Sequence, residues 1–291
     1  MSIPMNTVCA SCFMNKRLEL LRTLGTDEQA TQMGKRMMAM YAESPADMDS
    51  AVLGGLVDAE IWKFYGIDPD RLKEEKQLSN QFALSRMDEV RRQIAQADDP
   101  VYASLQYAVL GNYLDFSALQ GQVSFQKLDD MLAAAPTLAL DQDCYRQFRK
   151  DLTQGTKFLY ITDNAGEIGF DRLLAEQLSQ AFPNLEITFL VRGGIVSNDA
   201  TRADAQAVGI PYPIVDSGCA IGGTSISRLS PEAKAAMDSA HVILAKGMGN
   251  IETMFGCGYN VYYAFLVKCA RLVQFFDKPM MPPMFVRDAT Q

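Results

Sequence analysis

The chain has 291 residues, 48% hydrophobic and 21% charged, the balance of an ordinary soluble globular protein with one large or two modest domains. Its net charge of −8 gives non-specific nucleic-acid binding no electrostatic support, and would repel an anionic substrate unless a metal or a local cationic pocket reversed the field. No apolar run approaches the ~20 residues that span a bilayer, and MSIPMNTVCASC has no signal-peptide core, so the expected setting is cytoplasmic, with reduced thiols and no membrane partner.

Residues 1–150 read as almost entirely helical. Thr26-Asp27-Glu28-Gln29 is a capping box followed by Ala30, Met33, Met37 and Met40 at helical spacing. Ser44-Pro45 reads as a cap with proline in the first turn, opening a helix that carries Leu53, Leu56, Val57, Ile61 and Phe64 and stops at Gly66. A long helix is expected from about Pro69 to Gln96, then shorter ones near 101–114, 124–135 and 141–152. The 16 methionines suit an adaptable core.

From Thr156 the pattern alternates. Strands are expected at 157–162, 186–191, 212–215 and 241–245, with a further apolar segment at 261–267, helices at 166–181, 200–208 and 231–239, and a last short strand at Met284–Arg287. The expectation is an α/β chain with a mostly parallel sheet flanked by helices. A helical domain would cover 1–153 and the α/β domain 154–291, which carries the functional site.

The first chemistry lies in Asp163-Asn164-Ala165-Gly166-Glu167, between a buried strand and an amphipathic helix. Such a turn sits at the carboxyl end of a strand, where open α/β sheets bind ligands. Two carboxylates and an amide are hard oxygen donors suited to Mg²⁺ or Mn²⁺, although the same residues also suit a cap and a tight turn. Asp199, after the next strand, falls on the same rim. Acidic groups brought together there raise each other's pKa unless a cation separates them. After the fourth strand, Lys246-Gly247-Met248-Gly249-Asn250 combines a full positive charge with glycine-bracketed N–H groups, which suits phosphate; a solvated lysine before a turn is the plainer reading. Asn112 and Asp115, three apart, would share a helix face. Cys9 and Cys12 suit a structural or oligomer-contact role, half a zinc site or a redox pair. His241, the sole histidine, reads as structural, and its solitude argues against a His-rich zinc site or a Ser-His-Asp triad.

Taken in order, Cys9-Ala10-Ser11-Cys12, Gly111-Asn112-Tyr113-Leu114-Asp115-Phe116, the 163–167 turn, Asn198-Asp199-Ala200-Thr201, the 246–250 turn and Val267-Lys268-Cys269 resemble the metal-dependent damage-control phosphatases. That family was first catalogued as domain of unknown function eighty-nine, and the cysteines are similar to its subfamily with an N-terminal CxxC pair. The resemblance implies a Rossmann-like domain against a helical region, and hydrolysis of small phosphomonoesters (sugar phosphates or damaged metabolite and cofactor phosphates) with Mn, Co, Ni or Mg. It implies metal ligands at Asp163, Asn164 and Asp199, phosphate contacts from Lys246 through Gly247 and Gly249 to Asn250, a substrate lysine at Lys268, and a pocket border at Asn112 and Asp115. The arginine and threonine that precede this lysine in another subfamily are Phe265 and Leu266 here.

On this reading a metal-activated water attacks the ester and Glu167 is a candidate base; attack by Asp163 itself ranks lower. The rivals are an S-adenosylmethionine-dependent carboxyl methyltransferase and a non-catalytic phosphometabolite sensor. The expected partner is a small phosphorylated metabolite, with oligomeric state unassigned.

Overall fold

The computed structural model describes residues 3, 5–115 and 123–288; Phe116, the last residue of the Gly111–Phe116 stretch, lies outside them. Helices fill the first half: α1 (Thr7–Leu24), α2 (Asp27–Glu43), α3 (Ser50–Tyr65), α4 (Lys73–Gln96), α5 (Pro100–Gly111), α6 (Phe125–Ala133) and α7 (Gln142–Gln154). Strand and helix then alternate through β1 (Lys157–Ile161), α8 (Glu167–Ala181), β2 (Glu186–Val191), α9 (Arg202–Ala207), β3 (Ile214–Asp216), α10 (Pro231–Ser239), β4 (Val242–Lys246), α11 (Gly247–Met254), β5 (Val261–Leu266), α12 (Ala270–Phe276) and β6 (Pro283–Arg287).

Local chemistry explains most boundaries. The Thr26 capping box is present in full, with Thr26 accepting from Gln29 and Gln29 reaching back. Gly66 closes α3 in the left-handed conformation. One expected start moves: α3 begins at Ser50 with Asp49 at its N-cap, because Ser44 instead bonds back to the Tyr41 carbonyl and ends α2. The long helix starts at Lys73 rather than Pro69, after turns closed by bonds from Arg71 to Asp68 and Lys73 to Asp70.

The sheet runs β3-β2-β1-β4-β5-β6, parallel through β5 with β6 antiparallel at the edge. The strand order reverses between β1 and β4, which opens a crevice at their carboxyl ends. One sheet face (Phe158, Tyr160, Phe189, Leu244, Tyr262) shares its apolar core with α4, α5, α7 and α8. The other (Leu159, Ile161, Ile243, Ala245, Tyr263) packs against α10, α11 and α12. A satellite core of Phe13, Leu21, Met33, Met37, Leu53, Val57 and Ile61 binds α1, α2 and α3 together. The larger core therefore runs across the junction at residues 154–156.

Helix α4 also grips the turn after β1. Asn80 accepts the Gly166 N–H at 2.7 Å and donates to Asp204 at 3.0 Å, and Lys76 pairs with Asp204 at 2.8 Å. Gly166 has φ +78°, and a Cβ there would stand 2.7 Å from the Ser79 carbonyl oxygen. Gly166→Ala should therefore cost about 2 kcal/mol or more, read as a lower urea midpoint with an unchanged slope.

Candidate active site

Two loops are laced together at the carboxyl ends of β1 and β2. The Ala165 N–H donates to the Asn198 carbonyl at 2.8 Å, and Ala200 N–H donates to the Asp163 carbonyl at 2.7 Å, so that Asn164 and Asp199 face each other as an antiparallel bridge. Main chain alone thus sets Asp163, Asn164 and Asp199 side by side. Asn198 fixes the second loop further by donating to the Leu114 carbonyl at 2.8 Å.

The side chains are oriented from behind. Asp163 Oδ2 accepts from Asn164 Nδ2 at 2.7 Å and from Asn112 Nδ2 at 3.1 Å. The same two amides also donate to Glu167, at 2.8 and 3.0 Å to its Oε2. Asn112 cannot turn over, because its Oδ1 accepts the Leu266 N–H at 3.0 Å. Asp163 Oδ1 makes no hydrogen bond among the described residues and stands 3.8 Å from Arg192 Nη2. Asn164 Oδ1 and Asp199 Oδ1 make no hydrogen bond among the described residues.

Arg192 had no assigned role in the sequence. Its buried guanidinium binds Asp199 at 2.6 Å through Nε, Thr224 at 3.3 Å and Asn250 Oδ1 at 3.3 Å. The available signal was a charged residue closing the run Ile187–Val191, apolar but for Thr188, on the rim that carries Asp163.

Lys246 is placed differently from a phosphate ligand. It is fully buried, and Nζ donates to the Ala108 carbonyl at 2.7 Å, to Glu167 at 2.6 Å and to Asp171 at 3.0 Å. Lys268 likewise turns inward, binding the Asn112 carbonyl at 2.6 Å and Asp115 at 2.7 Å. Asn250 donates to the Lys246 and Thr162 carbonyls, at 2.6 and 3.1 Å, and so docks α11 to the end of β1. Gly247 has φ +77°, and a Cβ there would collide with the Asp163 carboxylate.

A cavity of about 720 Å³ opens over this assembly. Asp115, Asp163, Asn164, Asp199, Met248, Gly249 and Glu252 line it; Asn112, Glu167, Lys246, Gly247, Asn250 and Lys268 stand behind the lining. The first-turn N–H groups of α11 have no acceptor within their own helix, and Met248 and Gly249 bring that turn to the wall.

Electrostatics favour a cation here. Burial, then the charges of Glu167, Asp199 and Asp115, push the Asp163 carboxyl well above the usual range, with Arg192 opposing them. Burial also raises Asp199, against Arg192. Two carboxylates and an amide oxygen, without thiol or imidazole, suit a hard divalent ion. Among the described residues no three His, Cys, Asp or Glu side chains form a metal cage; this donor set takes its third oxygen from an amide.

The two CxxC cysteines lie one turn apart on α1 as free thiols, Cys9 half-buried and Cys12 exposed. His241 Nδ1 accepts the Lys157 N–H at 3.1 Å, at the opposite end of β1 from Asp163. No helix among the described residues is long and apolar enough to cross a membrane.

Residues 5–282 match the family model described as the damage-control phosphatase ARMT1-like domain. The chain belongs to this family. Its relatives include an uncharacterized protein of Methanocaldococcus jannaschii, 29% identical over 283 residues, covering 92% of this chain and 90% of that one. A damage-control phosphatase of Pyrococcus horikoshii is 27% identical over 276 residues, 93% of each chain. One of Archaeoglobus fulgidus is 26% identical over 252 residues, 85% of this chain and 86% of the other. The fold matches the crystal structure of a duf89 family protein from Pyrococcus horikoshii with a TM-score of 0.83 at 24% identity, covering 98% of this chain and 99% of that one. Membership in the damage-control phosphatase family supports a hydrolase of the phosphatase kind and does not favour the carboxyl-methyltransferase alternative.

The buried cluster beneath the site sets one ammonium, Lys246, against two carboxylates, Glu167 and Asp171. Burial, opposed by Lys246 and reinforced by Glu167, pushes the Asp171 carboxyl from 3.8 up to about 7. The native chain therefore binds a proton that the unfolded chain has released, and stability contributed by this group falls as pH rises from about 4 to about 7. Asp171→Asn should flatten that decline in the urea midpoint of chelator-treated protein.

Proposed function

We propose that this chain is a divalent-metal-dependent phosphatase acting on small phosphomonoesters, sugar phosphates or damaged metabolite and cofactor phosphates. The observation that carries the reading is the paired-loop geometry: three hard oxygens on one rim, at the mouth of a cavity whose adjoining wall is the first turn of a helix.

Asp163, Asn164 and Asp199 would hold the ion. When bound, a Mn, Co, Ni or Mg ion supplies charge neutralisation at the phosphoryl group and a water of lowered pKa. The chain's own share is binding and orientation. Backbone N–H groups of Met248 and Gly249 receive phosphoryl oxygens, as helix N-termini do. Asn112 and Glu167 hold Asp163 and Asn164 in one rotamer each, leaving their remaining oxygens for the ion. Lys246 neutralises Glu167 from within the protein, and Lys268 steadies Asp115 at the cavity edge; both act through other residues. Glu167 is thus a positioning residue here, since its oxygens are committed to Lys246, Asn112 and Asn164.

Chelator-stripped protein, resupplied with each of the four ions and a panel of phosphate esters, should release inorganic phosphate only with metal. Asp163→Ala should reduce release to background at unchanged secondary structure; retained metal-dependent turnover would contradict the assignment, and tight ester binding without any release would make the protein a sensor.

Glu167→Gln keeps the side chain's shape but removes its charge and turns one of its two accepting oxygens into an NH2 donor that faces either Lys246 or the Asn112 and Asn164 amides. Metal affinity or turnover should fall by about 10–100-fold, as for other residues that orient ligands from behind, measured by metal titration of activity.

A further inference from the structure

The cavity has two unlike ends. One is the carboxylate rim just described. The other is built by the helical region: Lys16 and Arg17 of α1, Trp62 and Lys63 of α3, and Arg71 in the turn before α4. Arg17 is neutralised by a two-bond pair with Asp58, at 2.9 and 3.0 Å. Lys16, Lys63 and Arg71 form no direct ion pair among the described residues, although the charges of Asp58 and Glu75 act on Arg71 from nearby. Arg71 lies over the Trp62 ring at 4.0 Å, which holds its guanidinium against the wall. The rest of the lining is largely apolar or small, with Ile67, Ile195 and Val196, and carries the carboxylates of Asp58 and Glu252.

Solvated lysines are common on any surface. These three cations differ in sharing one concavity with a phosphoryl-binding rim, on a chain whose net charge is −8. Size points the same way. About 720 Å³ lies well inside the range of ~300–1,000 Å³ that accommodates drug-sized ligands, far more than one phosphoryl group fills. A ligand that used only the rim would leave the cationic wall facing water.

We propose that the cavity is a two-ended anion site, whose rim takes the phosphate ester and whose Lys16–Lys63–Arg71 wall takes a second anionic group of the same molecule. The substrate class is then phosphorylated metabolites that carry a further phosphate or carboxylate at the opposite end. The first half of this assignment rests on the phosphatase reading; the second rests on the wall itself. The wall also supplies the local reversal of field that an anion needs to approach so acidic a chain.

Trp62 is the only tryptophan, and it lies in the wall, so its fluorescence reports occupancy there without any turnover. The test titrates the protein, in chelator and in Mn²⁺, with glucose 6-phosphate, glucose 1,6-bisphosphate and orthophosphate. The bisphosphate should change Trp62 emission at a concentration about tenfold or more below the monophosphate, the effect of a charge-assisted contact or two. Lys16→Glu and Lys63→Glu should each remove most of that preference, and the milder Lys63→Gln part of it, whereas Lys150→Glu, on α7 and outside the lining, should leave it intact. Equal affinity for the two sugars, or a preference that survives charge reversal at Lys16 and Lys63, overturns the inference. A bisphosphate preference without phosphate release from any ester upholds the wall and removes the phosphatase reading. Release from monoesters without the preference does the opposite.

Discussion

Burying carboxylates together is the constraint on which this structure depends. Asp115, Asp163, Glu167, Asp171 and Asp199 are all buried within one region of the crevice. Like charges so placed are tolerated only with cations interleaved. The parallel sheet delivers those cations in strand order. Arg192 follows β2, Lys246 ends β4 and Lys268 follows β5, while Asp163 follows β1 between them. Each basic side chain folds inward onto a carboxylate. The acids that remain under-compensated, Asp163 and Asp199, are those at the cavity.

This arrangement explains why the helical region is more than a cover. Asn112 caps α5 and, with Asn164, donates to both Asp163 and Glu167; without it the two carboxylates would meet with fewer intervening N–H groups. Asn80 on α4 holds the Gly166 N–H, and Lys76 beside it neutralises Asp204, which caps α9. The rim is therefore clamped from the helical side as well as by the loop-to-loop bridge. Preorganisation of this kind would, on the proposed metal-dependent reading, keep the ligand oxygens pointed outward before any ion arrived.

Much of this was legible in the sequence, for identifiable reasons. Alternating apolar runs and capped helices marked five strands and three helices close to their observed places, because buried parallel strands carry an unmistakable composition. Asp163, Asn164 and Asp199 were legible because turns at strand ends are where ligands sit, and their types are oxygen donors. What composition could not convey is the direction of a side chain. Lys246 follows Val242 and Leu244 on the sheet face shared with α5 and α8, whereas Ile243 and Ala245 face the other layer. Period-two alternation therefore turns Lys246 towards Glu167 and Asp171 rather than the cavity. That parity was present in the sequence, but it becomes informative only once the helices are known to lie on that side. Arg192 escaped notice for a related reason: its role depends on Asn250 and Thr224, which are distant in sequence. The pattern at 246–250 reads as a turn because α11 is short and glycines bracket its start, and nothing in the sequence marks the short α12.

Gly247 joins the buried and the exposed sides of the site. With φ +77° and no room for a Cβ beside Asp163, the chain passes the carboxylate at the closest approach that backbone allows and then enters α11 at once. The same residue therefore lets Lys246 turn inward and the helix N-terminus turn outward. A larger residue would have to push Asp163 towards Arg192 or lift α11 away from the rim. Either movement would separate the carboxylate from the N–H groups of Met248 and Gly249, the two kinds of group that the proposed phosphatase reading uses together. Close backbone approach, rather than the lysine's charge, is what the Lys-Gly-Met-Gly-Asn sequence contributes to the surface of the site.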